Sequence, residues 1–328
     1  MNTSSFLKFE NALLRRENSC PPIWMMRQAG RYQQSYRSMK ESWTFEQMCK
    51  LPGLATDVAM LPINEFDFDV AILFSDILFH LEGLGLPLTF SPGPKFELHL
   101  DEDNWVNYKD IGKAVDFLKF QSKAIQQTRD KLGSKKALVG FVGGPWTILN
   151  YALGDKKCSD DFKHMYLETV LVPLLRASIK KQLEAGADCV MIFDSGLKNI
   201  RKKYFDNEYC ELLKDLQSAG TTAYYSRTLP NNSLQKVIDV DFAGIGIDSN
   251  QDLNKTLQKV SKGFVQGNFD ETLLLIDSQK TLEKEIHKWL ETIEDTTGWV
   301  CGLGHGILKE TPPKNVSLFV KTVRNYFN

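Results

Sequence analysis

No apolar run in this sequence approaches the roughly 20 residues that span a bilayer, so a membrane protein is not expected. The amino-terminal stretch MNTSSFLKFENALLRRENSC has no uninterrupted apolar core, and no secretory signal is expected there. Cysteine is sparse and scattered: Cys20, Cys49, Cys158, Cys189, Cys210 and Cys301 make no CxxC pair. Reduced thiols in a cytoplasmic protein are the expected state. An excess of charge of one sign is also missing. There are 40 Lys and Arg against 41 Asp and Glu, a formal net charge of -1, with pI ≈ 6.5. Nothing therefore favours nucleic acid or an anionic membrane surface as a partner. An anionic small molecule would have to be met by arginines placed locally.

Motifs that announce a cofactor or a nucleophile are absent too. The chain has no P-loop, no H-E-x-x-H and no G-x-S-x-G. Gly302-x-Gly304-x-Gly306 is not the dinucleotide fingerprint, because its third glycine comes one position early. No H-x-C segment marks a thiolate zinc site, and Cys301 with His305 lacks a recognisable third ligand. No metal and no cofactor are expected.

What is present is a rhythm of apolar runs, each ending in polar residues. The runs are Ile23 to Met26, Asp69 to Phe74, Ala137 to Val142, Asp188 to Phe193, Thr221 to Tyr225, Phe242 to Ile247, Phe264 to Gln266, and Trp299 to Leu303. Continuous apolar runs suit strands buried on both faces. Helical patterns lie between most of them, over 5–17, 41–60 (closed by Pro62), 108–131 and 161–185 (stopped by Gly186). The stretch from Gly83 to Pro94 reads as a loop or short edge ribbon, because Leu84, Leu86, Leu88 and Phe90 alternate among glycines and prolines. Strands alternating with helices imply a parallel sheet, and eight units imply a (β/α)8 TIM barrel in one domain over residues 1–328. A doubly wound sheet is the alternative, although six strands would suffice for it.

The polar residues that follow the runs are the candidate site. Arg27, Asp76, Ser195, Asp248, Asn268 and His305 each come directly after one. Any one alone is explained as a cap or turn residue. In a barrel all of them would meet at one mouth, where barrel enzymes keep their chemistry. The stretch Trp24-Met25-Met26-Arg27-Gln28-Ala29-Gly30-Arg31-Tyr32 stands out most. An apolar lead-in ends in two arginines four apart, with Gly30 offering a turn. Two guanidiniums at one strand end make a receptor for carboxylate or phosphate, unless they simply pair with neighbours on a solvated loop. Asp76 sits between apolar segments, as an N-cap or as an acceptor for substrate N–H groups. His305 lies between two glycines on a tight loop.

Several segments together resemble one family. They are Met26-Arg27-Gln28-Ala29-Gly30-Arg31-Tyr32, Phe74-Ser75-Asp76-Ile77-Leu78, Gly140-Phe141-Val142-Gly143-Gly144-Pro145-Trp146-Thr147, Ile192-Phe193-Asp194-Ser195, Gln266-Gly267-Asn268-Phe269-Asp270, and Gly304-His305-Gly306-Ile307-Leu308. Taken in this order, they resemble the uroporphyrinogen decarboxylase family. Three positions depart from its pattern: Ser35 where Glu is usual, Gly302 where Asn is usual, and Ser249 where Trp is usual.

The resemblance implies a (β/α)8 barrel, typically a homodimer, working without metal or organic cofactor. It implies removal of the carboxyls of four acetate side chains from uroporphyrinogen III, giving coproporphyrinogen III and carbon dioxide. Arg27 and Arg31 would bind carboxylates near the chemistry, and Asp76 would accept pyrrole N–H groups. Tyr151, Ser195 and His305 would contact substrate, with Arg27, Asp76 and Tyr151 closest to the reacting centre. The competing readings are a zinc-dependent methyltransferase on the same barrel and a non-catalytic tetrapyrrole-binding protein.

Overall fold

The computed structural model describes residues 4–90, 93–230 and 232–327. Ser91 and Pro92 of the expected Gly83–Pro94 loop lie outside the described residues. β1 (Val70–Ile72) begins a parallel sheet. β2 (Leu88–Phe90) and β3 (Pro94–Phe96) then form a separate antiparallel ribbon, as their alternation suggested. The parallel sheet continues through β4 (Ala137–Gly143), β5 (Cys189–Phe193), β6 (Thr222–Tyr225), β7 (Gly244–Gly246), β8 (Phe264–Phe269) and β9 (Trp299–Leu303). These seven strands lie side by side in chain order, every neighbouring pair parallel. A doubly wound sheet reverses its order part-way; this one does not, which excludes that alternative.

The strands are buried along almost their whole length, and β4, β6, β8 and β9 at every position. That is what continuous apolar runs require when helices cover the outside and side chains fill the inside. The helix Lys119–Leu132, for example, packs Ala124, Ile125 and Leu132 inward and ends on Gly133 at φ 58°.

The expected strand Ile23 to Met26 is reduced to one bridge, Ile23 against Cys301. Its backbone nevertheless bonds to both edges of the sheet. Cys301 N donates to Pro22 O at 2.9 Å, Trp24 N to Cys301 O at 3.0 Å, and Asp69 N to Ile23 O at 3.0 Å. Pairing stays short for local reasons. Pro21 and Pro22 have no N–H to give. The Ile23 N–H goes instead to the Asp69 carboxylate, at 2.8 Å.

Other boundaries shift for equally local reasons. The first helix is Ser5–Leu13 and does not reach residue 17, since Arg15 turns left-handed (φ 50°). The guanidinium of Arg15 then bonds to Leu257 O at 3.0 Å and Gly263 O at 3.3 Å. The 41–60 region is the end of Gln34–Ser42, then Phe45–Lys50 and Pro52–Phe66. A capping box between Thr44 and Gln47 starts the second of these. Pro62 lies inside the third and does not close it. The 108–131 pattern is two helices, Ile111–Phe117 and Lys119–Leu132. The 161–185 helix begins at Asp160 and widens to a π-turn over Leu167–Leu171, just before Pro173, which lacks a donor. β1 and β7 are half the expected length and β5 and β6 each start one residue late, while β8 runs on to Phe269 and takes in Asn268. Among the described residues no helix is long and apolar enough to cross a membrane.

Candidate active site

The turn after the Ile23 bridge places Arg27. Its backbone, not that of Gly30, takes the left-handed conformation (φ 57°). The glycine expected to make the turn leaves it to an arginine, at a steric cost of roughly 1 kcal/mol. The turn is held from both sides. Ile307 N donates to Met26 O at 3.0 Å, and Gln28 Nε2 donates to Val70 O at 3.1 Å. The Arg27 side chain lies over Gly306, where a Cβ would fall 2.5 Å from Arg27 Cδ. Gly306 therefore leaves room for the arginine. Arg31 is exposed, and its carbonyl accepts from Arg37 Nη1 at 2.8 Å.

His305 is half-buried on this loop, not freely exposed. Tyr225, the last residue of β6, lies under it with ring centroids 6.1 Å apart. The Tyr225 hydroxyl is 2.8 Å from Gly304 O and 3.0 Å from His305 Nδ1. Burial and the nearby positive charges of Arg27 and Arg227 push the His305 pKa down to about 4. The imidazole is therefore neutral at physiological pH.

Asp76 follows β1 and accepts from Leu78 N at 2.8 Å. It is not the N-cap of the next helix, Phe79–Gly83, whose cap position is Leu78. Burial raises its pKa above the ordinary carboxylate range, with the Leu78 bond opposing. Its charge is felt by the buried Cys49 thiol, Cys49 by Tyr36, and Tyr36 also by Arg31. Tyr36 packs edge-on against Phe74, two residues before Asp76, with centroids 5.8 Å apart. Among the described residues, Arg27, Arg31 and Asp76 make no ion pair, whereas Arg227 meets Glu271 at 3.4 Å.

Tyr151 and Ser195 are held by a different hub. Asp194 ends β5 fully buried and takes four bonds: from Thr147 N (3.0 Å), Thr147 Oγ1 (2.6 Å), Tyr209 Oη (2.5 Å) and Tyr224 Oη (2.9 Å). A Cβ at Gly144 would collide with this carboxylate, 2.1 Å from its Cγ. These contacts dock the helix Pro145–Leu153 on the β5 loop, and Asn150 Nδ2 adds a bond to Gly196 O at 2.9 Å. Tyr151 on that helix and Ser195 on that loop are both exposed.

Two strand-end candidates turn out to be occupied locally. Asn268 lies within β8, and its amide donates to Asp248 O (2.9 Å) and Gln251 O (2.6 Å). Asp248 Oδ1 accepts from Asn250 N at 2.8 Å. Of the three departures from the family pattern, the structure explains Gly302. At Gly302 a Cβ would stand 2.1 Å from Trp24 O, so a side chain would push the Pro22–Trp24 segment off β9. Ser249 N would sit 2.4 Å from a Cβ at Gly304, so the two loops are in close contact. Ser35 hydrogen-bonds to Glu65. Tyr225, Arg227, Glu271 and the Asp194 hub were not singled out from sequence. Arg227 carried the available signal, a cation just past a strand as at Arg27.

A parallel sheet with its strands in chain order, carrying Arg27, Asp76, Arg227 and His305 on the segments that follow its carboxyl ends, is an α/β fold of the class that keeps enzyme sites at those ends. Comparison narrows the class. The model of the family described as "Uroporphyrinogen decarboxylase (URO-D)" matches residues 6–326. Curated relatives named uroporphyrinogen decarboxylase include one from Vesicomyosocius okutanii, 33% identical over 96% of this chain and 97% of its own. One from Orientia tsutsugamushi is 34% identical over 93% of this chain and 94% of its own. Among solved structures, a methyltransferase from Methanosarcina mazei superimposes with a TM-score of 0.85 over all of both chains, at 17% identity, a likeness of fold alone. The chain belongs to the uroporphyrinogen decarboxylase family.

Proposed function

We infer that this chain is a carboxy-lyase of tetrapyrrole biosynthesis, and we propose that it takes uroporphyrinogen III to coproporphyrinogen III by removing the carboxyls of four acetate side chains. The observation that carries the reading is the set of charges left without ion-pair partners, among the described residues, at one end of the sheet. Arg27 and Arg31 answer the carboxylates of a polyanionic macrocycle. Asp76 answers its pyrrole N–H groups. Tyr151, Ser195 and His305 are further substrate contacts, supported by their position on the helix after β4 and on the loops after β5 and β9.

The chemistry needs a place for an electron pair. A proton added to a pyrrole ring carbon makes an iminium-like cation. The bond to the carboxylate breaks, carbon dioxide leaves, and the pair neutralises the cation as an exocyclic methylene. A proton on that methylene gives the methyl, and loss of the ring proton restores the pyrrole. The net change is one proton in and one carbon dioxide out. In this scheme Asp76 stabilises the cation while the arginines hold the rim. Fixed charge aimed at developing charge is commonly the largest catalytic term. A guanidinium offers a fixed fork of donors, so Arg27 serves to position the reacting carboxyl.

The same proposal includes a closed (β/α)8 barrel in one domain, with Pro22–Trp24 as the eighth member. The bonds of that segment to β9 and to Asp69 support it. A cytoplasmic homodimer that uses no metal or organic cofactor completes the reading. The test is anaerobic incubation with uroporphyrinogen III, followed by oxidation and chromatography by carboxyl number. Eight carboxyls falling to four supports the proposal. Unchanged octacarboxylate overturns it.

A further inference from the structure

Arg227 stands two residues past β6, at the same end of the sheet as Arg27, and has no part in the mechanism above. Three contacts fix its place. Thr228 N donates to Ser226 Oγ at 3.2 Å, tightening the turn. Thr228 Oγ1 donates to Ser195 O at 2.9 Å, tying the turn to the β5 loop. Arg227 Nη2 lies 3.4 Å from Oε1 of Glu271, in the segment after β8.

The burial of the two partners is unequal. The Glu271 side chain is 4% exposed, while that of Arg227 is 49% exposed. A carboxylate so deep is costly unless a cation compensates it. Arg227 is its only ion-pair partner among the described residues. Glu271 therefore holds one part of the guanidinium, and the other donors stay free for a second anion. Arg227 follows Tyr225, whose ring stacks under His305 with centroids 6.1 Å apart. The side chain of Arg27, which makes no ion pair among the described residues, lies over Gly306, the residue next to His305. Both cations act on the same imidazole. Two like charges facing one half-buried ring repel each other, and an anion between them would relieve that repulsion.

We propose that Arg227 is a substrate-binding residue that forms with Arg27 a two-guanidinium clamp above His305, taking one carboxylate of the macrocycle, with Glu271 as its positioning residue. The identity of the macrocycle rests on the function proposed above. The clamp itself requires only a polycarboxylate ligand. It adds a third arginine to the pair in the Met26–Tyr32 segment, contributed by a strand far from it in the chain.

The test compares wild type with Arg227→Gln, Arg227→Lys and the double variant Arg227→Gln/Glu271→Gln. The double variant removes the buried charge that the single one would strand. Loss of a charge-assisted contact predicts a KM for uroporphyrinogen III raised about tenfold or more in both Gln variants, with a much smaller change in kcat. Arg227→Lys recovers part of that loss. The second readout is an NMR titration of the His305 ring, with and without coproporphyrinogen III. In wild type the bound carboxylate raises the His305 pKa. In the Gln variants the free protein starts higher and the rise on binding is smaller. An unchanged KM in both Gln variants, or a His305 titration indifferent to Arg227, overturns the clamp. Wild type that binds the macrocycle with the His305 shift but does not decarboxylate it supports the clamp and overturns the assigned reaction.

Discussion

The Tyr225 hydroxyl lies 2.8 Å from Gly304 O and 3.0 Å from His305 Nδ1, and this geometry sets the tautomer of the histidine. A phenol has one hydrogen, and the carbonyl of Gly304 can only accept it. Nδ1 must then donate to the phenol oxygen, leaving Nε2 as the acceptor nitrogen. Tyr225→Phe removes both bonds and frees the ring to choose either tautomer. The expected outcome is a fall in kcat/KM of about tenfold, near 1.4 kcal/mol, together with a loss of about 1–3 kcal/mol of stability because the buried Gly304 carbonyl loses its donor. Full activity in this variant would show that the orientation of His305 does not matter.

Asp76 is expected to act as a carboxylate, and burial raises its pKa. The sign follows directly. Activity needs the ionised form, so it is lost as pH falls through the raised pKa, above the ordinary carboxylate range. A profile of kcat/KM against pH, which reports the free enzyme, should therefore have its acid limb above the ordinary carboxylate range, and Asp76→Asn should abolish that limb along with most of the turnover. Substrate binding should suffer less, because the amide keeps an acceptor. An acid limb that survives in Asp76→Asn belongs to another group.

Arg27 offers a way to separate folding from function. Its left-handed backbone costs an arginine roughly 1 kcal/mol that glycine does not pay. Arg27→Gly should melt no lower than wild type yet lose kcat/KM by at least about a hundredfold, since charge-assisted contacts to substrate vanish. Arg27→Lys keeps the charge and loses the fork, so it should fall between the two. A fully active lysine variant would remove Arg27 from the reaction.

At the other end of the strands, Asp69 takes the Ile23 N–H at 2.8 Å and the Ser5 hydroxyl at 2.5 Å, with Arg324 at 3.7 Å. Asp69→Ala leaves a buried backbone N–H unpaired and should destabilise the protein by about 2–4 kcal/mol in denaturant titration. The folded fraction should keep wild-type KM, because Asp69 lies before β1 and the substrate contacts lie beyond the opposite strand ends.

Much of this architecture was legible in the sequence, and the exceptions have physical causes. Seven of the eight apolar runs became strands because continuous burial leaves a continuous signal. The eighth, Ile23 to Met26, has the same signal but spends its first N–H on Asp69, 46 residues away. No local pattern displays that bond. Gly30 announced a turn, yet the turn fell on Arg27, where the loop carrying Gly306 packs against it. The Met26–Tyr32 segment and the Gly304–Leu308 segment were both visible, but their contact was not. Arg227 escaped notice because an arginine after a strand is ordinary until its buried partner, Glu271, is known. Asp248 and Asn268 looked like site residues for the converse reason, since a side chain bonded to nearby backbone reads the same in sequence as one facing a ligand.

Asp69 has one more consequence. It accepts the Ser5 hydroxyl from the helix Ser5–Leu13 and lies beside the Arg324 guanidinium of the helix Pro313–Phe327, so these two helices meet at one carboxylate. Deleting the helix Pro313–Phe327 should therefore unseat the helix Ser5–Leu13, although more than 300 residues separate Ser5 from Arg324 in sequence.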